Sequence, residues 1–184
     1  EISACLVGSE MCIRDSPKLA YKILRDAHGN LIGYDFRDKD QEPYDYTDSL
    51  SAETYRNYGH GTEVAGVLTK HTDDIALIPF RISSNPNDYY EAIKIAVHHG
   101  ARIINMSFKQ DGENGIKAYE QLVKAIQDYP DILFVAAAGN DGNDLSIQPA
   151  YPASFSFPNL LTVTGIGKNL SLIHISEPTR QAEI

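Results

Sequence analysis

Apolar runs with strand character alternate with stretches of helical periodicity over the second half of the chain, and that alternation narrows the fold more than any other feature. Ile75-Ala76-Leu77-Ile78-Pro79-Phe80-Arg81-Ile82 reads as a buried strand within 74–82. Pro79 cannot donate to a ladder, so it sets that strand near an edge or a bulge. From Asn87 to His99, Tyr90, Ile93, Ala96 and Val97 recur at helical spacing, and Gly100 is a stop signal. Arg102 to Ser107 is the next strand. A helix opens at Gly115, carries Ala118, Leu122, Ala125 and Ile126 on one face, and ends at Pro130. Ile132-Leu133-Phe134-Val135-Ala136-Ala137-Ala138 reads as a strand buried on both faces, and Leu160 to Thr164 as one more. Strands alternating with helices of this length imply parallel crossovers. The expected class is α/β, a parallel sheet with helices on both faces.

The first part of the chain is less regular. Leu19 to Leu24 is a weak strand or extended entry, Asp26-Ala27-His28-Gly29-Asn30 is turn chemistry, and Leu31 to Phe36 is a short strand. Arg37 to Ser51 is acidic, tyrosine-rich and aperiodic. Its carboxylates Asp38, Asp40, Glu42, Asp45 and Asp48 lack the spacing of a calcium loop such as the EF-hand, so a solvated loop is expected there. His60 to Lys70 fits one further helix.

The two ends are related through their codons. Met11-Cys12-Ile13-Arg14-Asp15-Ser16 can be encoded ATG TGT ATA AGA GAC AG, and the reverse complement reads Leu-Ser-Leu-Ile-His-Ile, the residues at 170–175. Glu1 to Glu10, treated alike, gives Ser176 to Ile184. Such an inverted repeat resembles translated sequencing adapter. The expected division is therefore a scar over 1–16, one partial domain over 17–169, and a second scar over 170–184, both scars lying outside the fold. Both cysteines, Cys5 and Cys12, fall in the first scar, so neither a disulfide nor a thiolate metal site is expected. The net charge is −9, and the interior stays acidic without the ends. No basic stripe supports nucleic-acid binding, and no apolar run is long enough to span a membrane.

Two motifs carry chemistry. In Asn57-Tyr58-Gly59-His60-Gly61-Thr62-Glu63-Val64-Ala65-Gly66-Val67-Leu68, a histidine sits between two glycines at the start of a small-residue helix. Glycines keep side chains away from the imidazole, and an imidazole held in place can take and return a proton near neutral pH. A lone histidine at a helix start is most often incidental; the second motif shifts the balance. In Ala136-Ala137-Ala138-Gly139-Asn140, the asparagine follows a small-residue strand and can aim a neutral N–H donor beyond its end, where it would suit an oxyanion. Alone, it would be read as a turn asparagine. Ser107 sits at the end of one predicted strand, Asn140 follows another, and His60 begins a helix, so all three belong at the carboxyl edge of the sheet.

Together these blocks resemble the subtilisin-like serine proteases, the subtilases. Asn57 to Leu68 resembles the family's histidine block, Leu77 to Ile82 its next core strand, and Gly100 to Phe108 the strand lining the substrate cleft. Val135 to Gly142 resembles the oxyanion-hole block, and Tyr151-Pro152-Ala153-Ser154 with Asn159 to Gly165 the segment beyond it. The resemblance implies a serine endopeptidase acting on polypeptides. His60 would be the general base and Asn140 the oxyanion donor, while Ser107, Phe108 and Gly139 would hold substrate. It implies no certain cofactor and no metal at the chemistry, leaves room for structural calcium in a parent protein, and is compatible with a monomer in an extracellular or cell-surface setting.

The family order is aspartate, histidine, serine. The aspartate follows an apolar strand and precedes a small residue and glycine; no such stretch exists here, and Asp35 is a poor substitute. The block Gly-Thr-Ser is absent too. The aspartate is expected upstream of Pro17 and the serine after Asn169, which would leave this chain inactive by itself. A non-catalytic subtilase relative, serving as a binding or scaffold protein, is the alternative. An unrelated phosphate-binding α/β domain would need a glycine-rich strand-to-helix loop, and none is found. Glu63 stands where the family has a second histidine and is expected to face away from the chemistry. Lys109 replaces a glycine, and would narrow the cleft or favour acidic substrate residues.

Overall fold

The computed structural model describes residues 2–8, 17–43, 60–111 and 116–165. A six-stranded sheet runs through them. In chain order its strands are β1 (Ile2–Gly8), β2 (Tyr34–Asp35), β3 (Ile75–Arg81), β4 (Ala101–Met106), β6 (Leu133–Ala137) and β8 (Leu160–Val163). Across the sheet the order is β2-β3-β1-β4-β6-β8, with every pairing parallel. Two short strands, β5 (Gln110–Asp111) and β7 (Ala150–Tyr151), pair antiparallel. The helices are α1 (Pro17–Ala20), α2 (His60–Thr69), α3 (Asn87–His98) and α4 (Glu120–Asp128).

Helices pack on both faces of this sheet, as the alternation predicts. Neighbouring residues of a strand point to opposite faces. Cys5, Ile78, Phe80, Ile104, Met106, Phe134 and Ala136 meet α3 and α4 through Ala92, Ile93, Ala96, Leu122, Ala125 and Ile126 in one core. Ala4 and Leu77 face the other way, into a smaller core with Leu19, Ile23, Leu31 and Ala65 of α2.

Four expectations change. Residues Ile2–Gly8, set outside the fold above, form the strand between β3 and β4, with Ala4, Cys5 and Val7 buried. Without a strand in that slot, β3 and β4 would present facing rows of unpaired backbone groups in mid-sheet. A short run of small and β-branched residues suffices to fill it, whatever the origin of its codons. Cys5 thus stands in the core as a free thiol, so the folded part is not cysteine-free.

The second change is in Leu19–Leu24, expected to be extended: Leu19 and Ala20 end the helical turn Pro17–Ala20, and Ile23 bridges to β3 at Leu77. Third, Leu31–Phe36 contracts to the two residues of β2. Gly33 lies so close to β3 that a Cβ there would sit 2.5 Å from the Pro79 carbonyl oxygen. Pro79 is tolerated at this junction. Leu77 donates its N–H to the Lys22 carbonyl and accepts from the Leu24 N–H, and residue 79 faces the same side, where pairing passes from Lys22–Leu24 to β2.

Fourth, β6 is buried on one face only. Phe134 and Ala136 are fully covered, whereas Leu133 is 40% exposed and Val135 and Ala137 are half-buried. On β8 the same face carries Leu161 and Val163, the latter 43% exposed. No described element covers this apolar patch beside α2.

Candidate active site

Sheets of this kind hold their sites beyond the carboxyl ends of the strands, where successive connections leave to opposite faces. Here that point lies at β1 and β4. The chain turns from β4 through Ser107, and α2 begins opposite it. His60, the first residue of α2, brings its Nε2 to 3.0 Å from the Ser107 carbonyl oxygen. Asn105, two residues earlier, donates from Nδ2 to Ser107 Oγ at 2.9 Å and holds that hydroxyl. A hollow of about 350 Å³ opens beside the imidazole, between Val64, Val67 and Leu68 of α2 and the residues Asn105 and Ser107. Glu63, expected to face away, also lines it: three residues along a helix returns to the same side.

β6 lies next to β4, with Met106 opposite Ala136. The chain leaves β6 through Gly139, which has φ +101°, a conformation open to glycine. Asn140 follows, exposed. His60, Ser107 and Asn140 therefore share the carboxyl edge of adjacent strands. A Cβ at Gly139 would lie 2.7 Å from Lys109 Cδ, so the lysine stem crosses over this residue. Its ammonium pairs with the Asp141 carboxylate.

Phe108 packs against two tyrosines. Its ring centroid lies 5.6 Å from that of Tyr89 and 5.5 Å from that of Tyr119, while the two tyrosines stand edge to face at 5.3 Å. Burial pushes both phenols above their ordinary range, Tyr89 most.

Asp35 serves elsewhere. It is fully buried at the end of β2, accepts the N–H groups of Arg37 and Asp38 at 2.8 and 3.0 Å, and pairs with Arg81 at 2.9 Å. Two strands separate β2 from β4, roughly 14 Å at strand spacing, so Asp35 is out of reach of His60. Asp38 pairs with the same arginine. Among the described residues no three His, Cys, Asp or Glu side chains converge to hold a metal; Asp45 and Asp48 lie outside the described residues. Also among the described residues, no helix is long and apolar enough to cross a membrane.

Sequence reasoning missed Asn105, Tyr89, Tyr119 and Asp141. Of these, only Asn105 carries a local signal, sitting one alternation before Ser107 on the same strand face.

The subtilase (peptidase S8) family model matches residues 12–181. The chain belongs to the subtilase family. Subtilisin-like protease 2 of Plasmodium falciparum is 28% identical over 163 residues, covering 80% of this chain and 12% of that protein. Halolysin of Haloferax mediterranei is 33% identical over 147 residues, covering 72% and 26%. Among solved structures, a lanthipeptide protease superposes with a TM-score of 0.67 at 19% identity, covering 95% of this chain and 52% of that one, a likeness of fold. This subtilase chain thus spans well under half the length of those two curated relatives. The match runs across both proposed scar boundaries.

Proposed function

We propose that the full-length subtilase is a serine endopeptidase cleaving polypeptides by acyl transfer, with His60 as general base and Asn140 as oxyanion donor. The observation that carries this reading is the meeting of His60 with Ser107 at the edge from which Asn140 also departs. A base, a substrate-pairing strand end and a neutral donor are then gathered at one reacting carbonyl. Ser107 and Phe108 would pair with an extended substrate backbone, and Gly139 would let it approach closely.

The remaining parts are proposed to lie outside residues 17–169. The aspartate would follow the strand that takes the β1 slot in the parent protein, next to β4. The serine would arrive on an element covering the apolar patch of Leu133, Val135, Leu161 and Val163. Those side chains and Val67, 73% exposed on α2, support a missing partner there. The 184-residue chain alone would then be inactive. Structural calcium, a monomeric state and an extracellular setting belong to the same reading of the parent.

The test is hydrolysis of a casein-type substrate by the purified full-length protein, together with mass spectrometry after a fluorophosphonate probe. One adduct on a serine beyond residue 169, with loss of hydrolysis, is expected. Peptide binding without adduct or cleavage would identify a non-catalytic relative instead.

A further inference from the structure

Lys109 and Asp141 lie on the two segments that leave β4 and β6 side by side. Those strands stay paired as far as Met106 and Ala136. Beyond that point no register pairs the segments 107–109 and 138–141, which leaves a gap in the ladder between them. A substrate strand laid along Ser107 and Phe108 would send alternate side chains toward this gap. Gly139 has no side chain to fill it. The Lys109 stem does so instead: a Cβ at position 139 would stand 2.7 Å from its Cδ and 3.1 Å from its Cε. The ammonium then reaches across to the Asp141 carboxylate. The lysine side chain is 22% exposed and the aspartate side chain 51%, so the stem is packed and the anchor faces solvent.

We propose that Lys109, tied to Asp141, is a crossbar over this gap that restricts the substrate residue before the cut to a small, uncharged side chain. The inference rests on the endopeptidase reading and specifies the substrate class of that same site. Two consequences of a lysine at this position were open from the sequence, narrowing and attraction of acidic residues. The geometry separates them. The stem occupies the volume, and the carboxylate of Asp141 already balances the charge. A pocket filled by methylenes discriminates by size, at roughly ten- to two-hundredfold per misfit group.

The experiment uses the full-length protein and four quenched peptides that differ only before the cut, at Ala, Leu, Phe or Glu, with active sites counted by fluorophosphonate titration. The wild type should cleave the Ala peptide at least about tenfold faster, in kcat/KM, than the Phe and Glu peptides. Lys109→Gly should raise the Phe to Ala ratio about tenfold or more. Lys109→Met keeps a stem of similar length, so size selection should persist. Asp141→Asn releases the ammonium, and the Glu peptide should gain severalfold over the Ala peptide. Lys109→Ala serves if the glycine variant does not fold. Titratable protein that cleaves all four peptides in ratios unmoved by these variants would overturn the crossbar alone. Absence of both titration and cleavage in the wild type would overturn the endopeptidase reading, and the crossbar with it.

Discussion

The imidazole of His60 and the carbonyl of Ser107 meet at 3.0 Å across the carboxyl edge of β4. A carbonyl oxygen only accepts, so a hydrogen bond here keeps the proton on Nε2. A base that takes a proton from a hydroxyl through Nε2 must present that nitrogen as the acceptor and carry its own proton on Nδ1. A carboxylate facing Nδ1 favours that tautomer. In the proposed full-length protease, an aspartate facing Nδ1 would turn the ring to that tautomer and free Nε2 from the Ser107 carbonyl.

If Asn140 is the proposed oxyanion donor, Asn140→Ala in the full-length protein should lower kcat about a hundred- to a thousandfold, the range known for loss of one such donor in subtilisin, and leave KM within about threefold. Steady-state kinetics on one peptide checks this. A change confined to KM would make Asn140 a binding group rather than an oxyanion donor.

Cys5 is fully buried, and desolvation raises its thiol pKa, so little thiolate is presented to a reagent. Iodoacetamide labelling of the native 184-residue chain, followed by peptide mapping, should leave Cys5 unmodified until denaturant is added. Native labelling at the denatured rate would remove Ile2–Gly8 from the sheet.

Asn159 closes the far end of α4. Its Nδ2 points at the carbonyl oxygens of Ile126, Tyr129 and Ile132, at 3.0, 3.1 and 3.3 Å. Asn159→Ala leaves these acceptors without that donor and should cost about 1–3 kcal/mol in urea unfolding. A loss below about 0.3 kcal/mol would show that water replaces the amide.

Tyr89 has its phenol pKa raised above the ordinary 10.0 by burial first, then by the charge and hydrogen bond of Tyr119. Its neutral form is the folded form. That contribution is whole below the unfolded pKa and is lost as pH rises above about 10. The urea midpoint should therefore fall between pH 8 and pH 11, and fall less in Tyr89→Phe. An equal fall in both proteins would place the alkaline sensitivity elsewhere.

The sheet was legible where periodicity is local. Ala101–Met106 and Asn87–His98 lie within a residue of expectation because each carries its own apolar pattern and a glycine stop at Gly100. Ile2–Gly8 was not legible: its place depends on two partners, Ile75–Arg81 and Ala101–Met106, that lie some seventy to a hundred residues away. The one-sided burial of Leu133–Ala137 also escaped, since a run of apolar residues does not say which face is covered. His60, Ser107 and Asn140 stood out through flanking glycines and strand ends. Tyr89, Tyr119 and Asp141 did not, because each acts through a residue on another element.

Activation of a serine by His60 acting as base is the step on which the proposed chemistry depends, and the rate of fluorophosphonate adduct formation reads that step directly. In the full-length protein, His60→Ala should slow labelling by at least about a thousandfold while its circular dichroism stays that of the wild type. Labelling of the variant at the wild-type rate would contradict it.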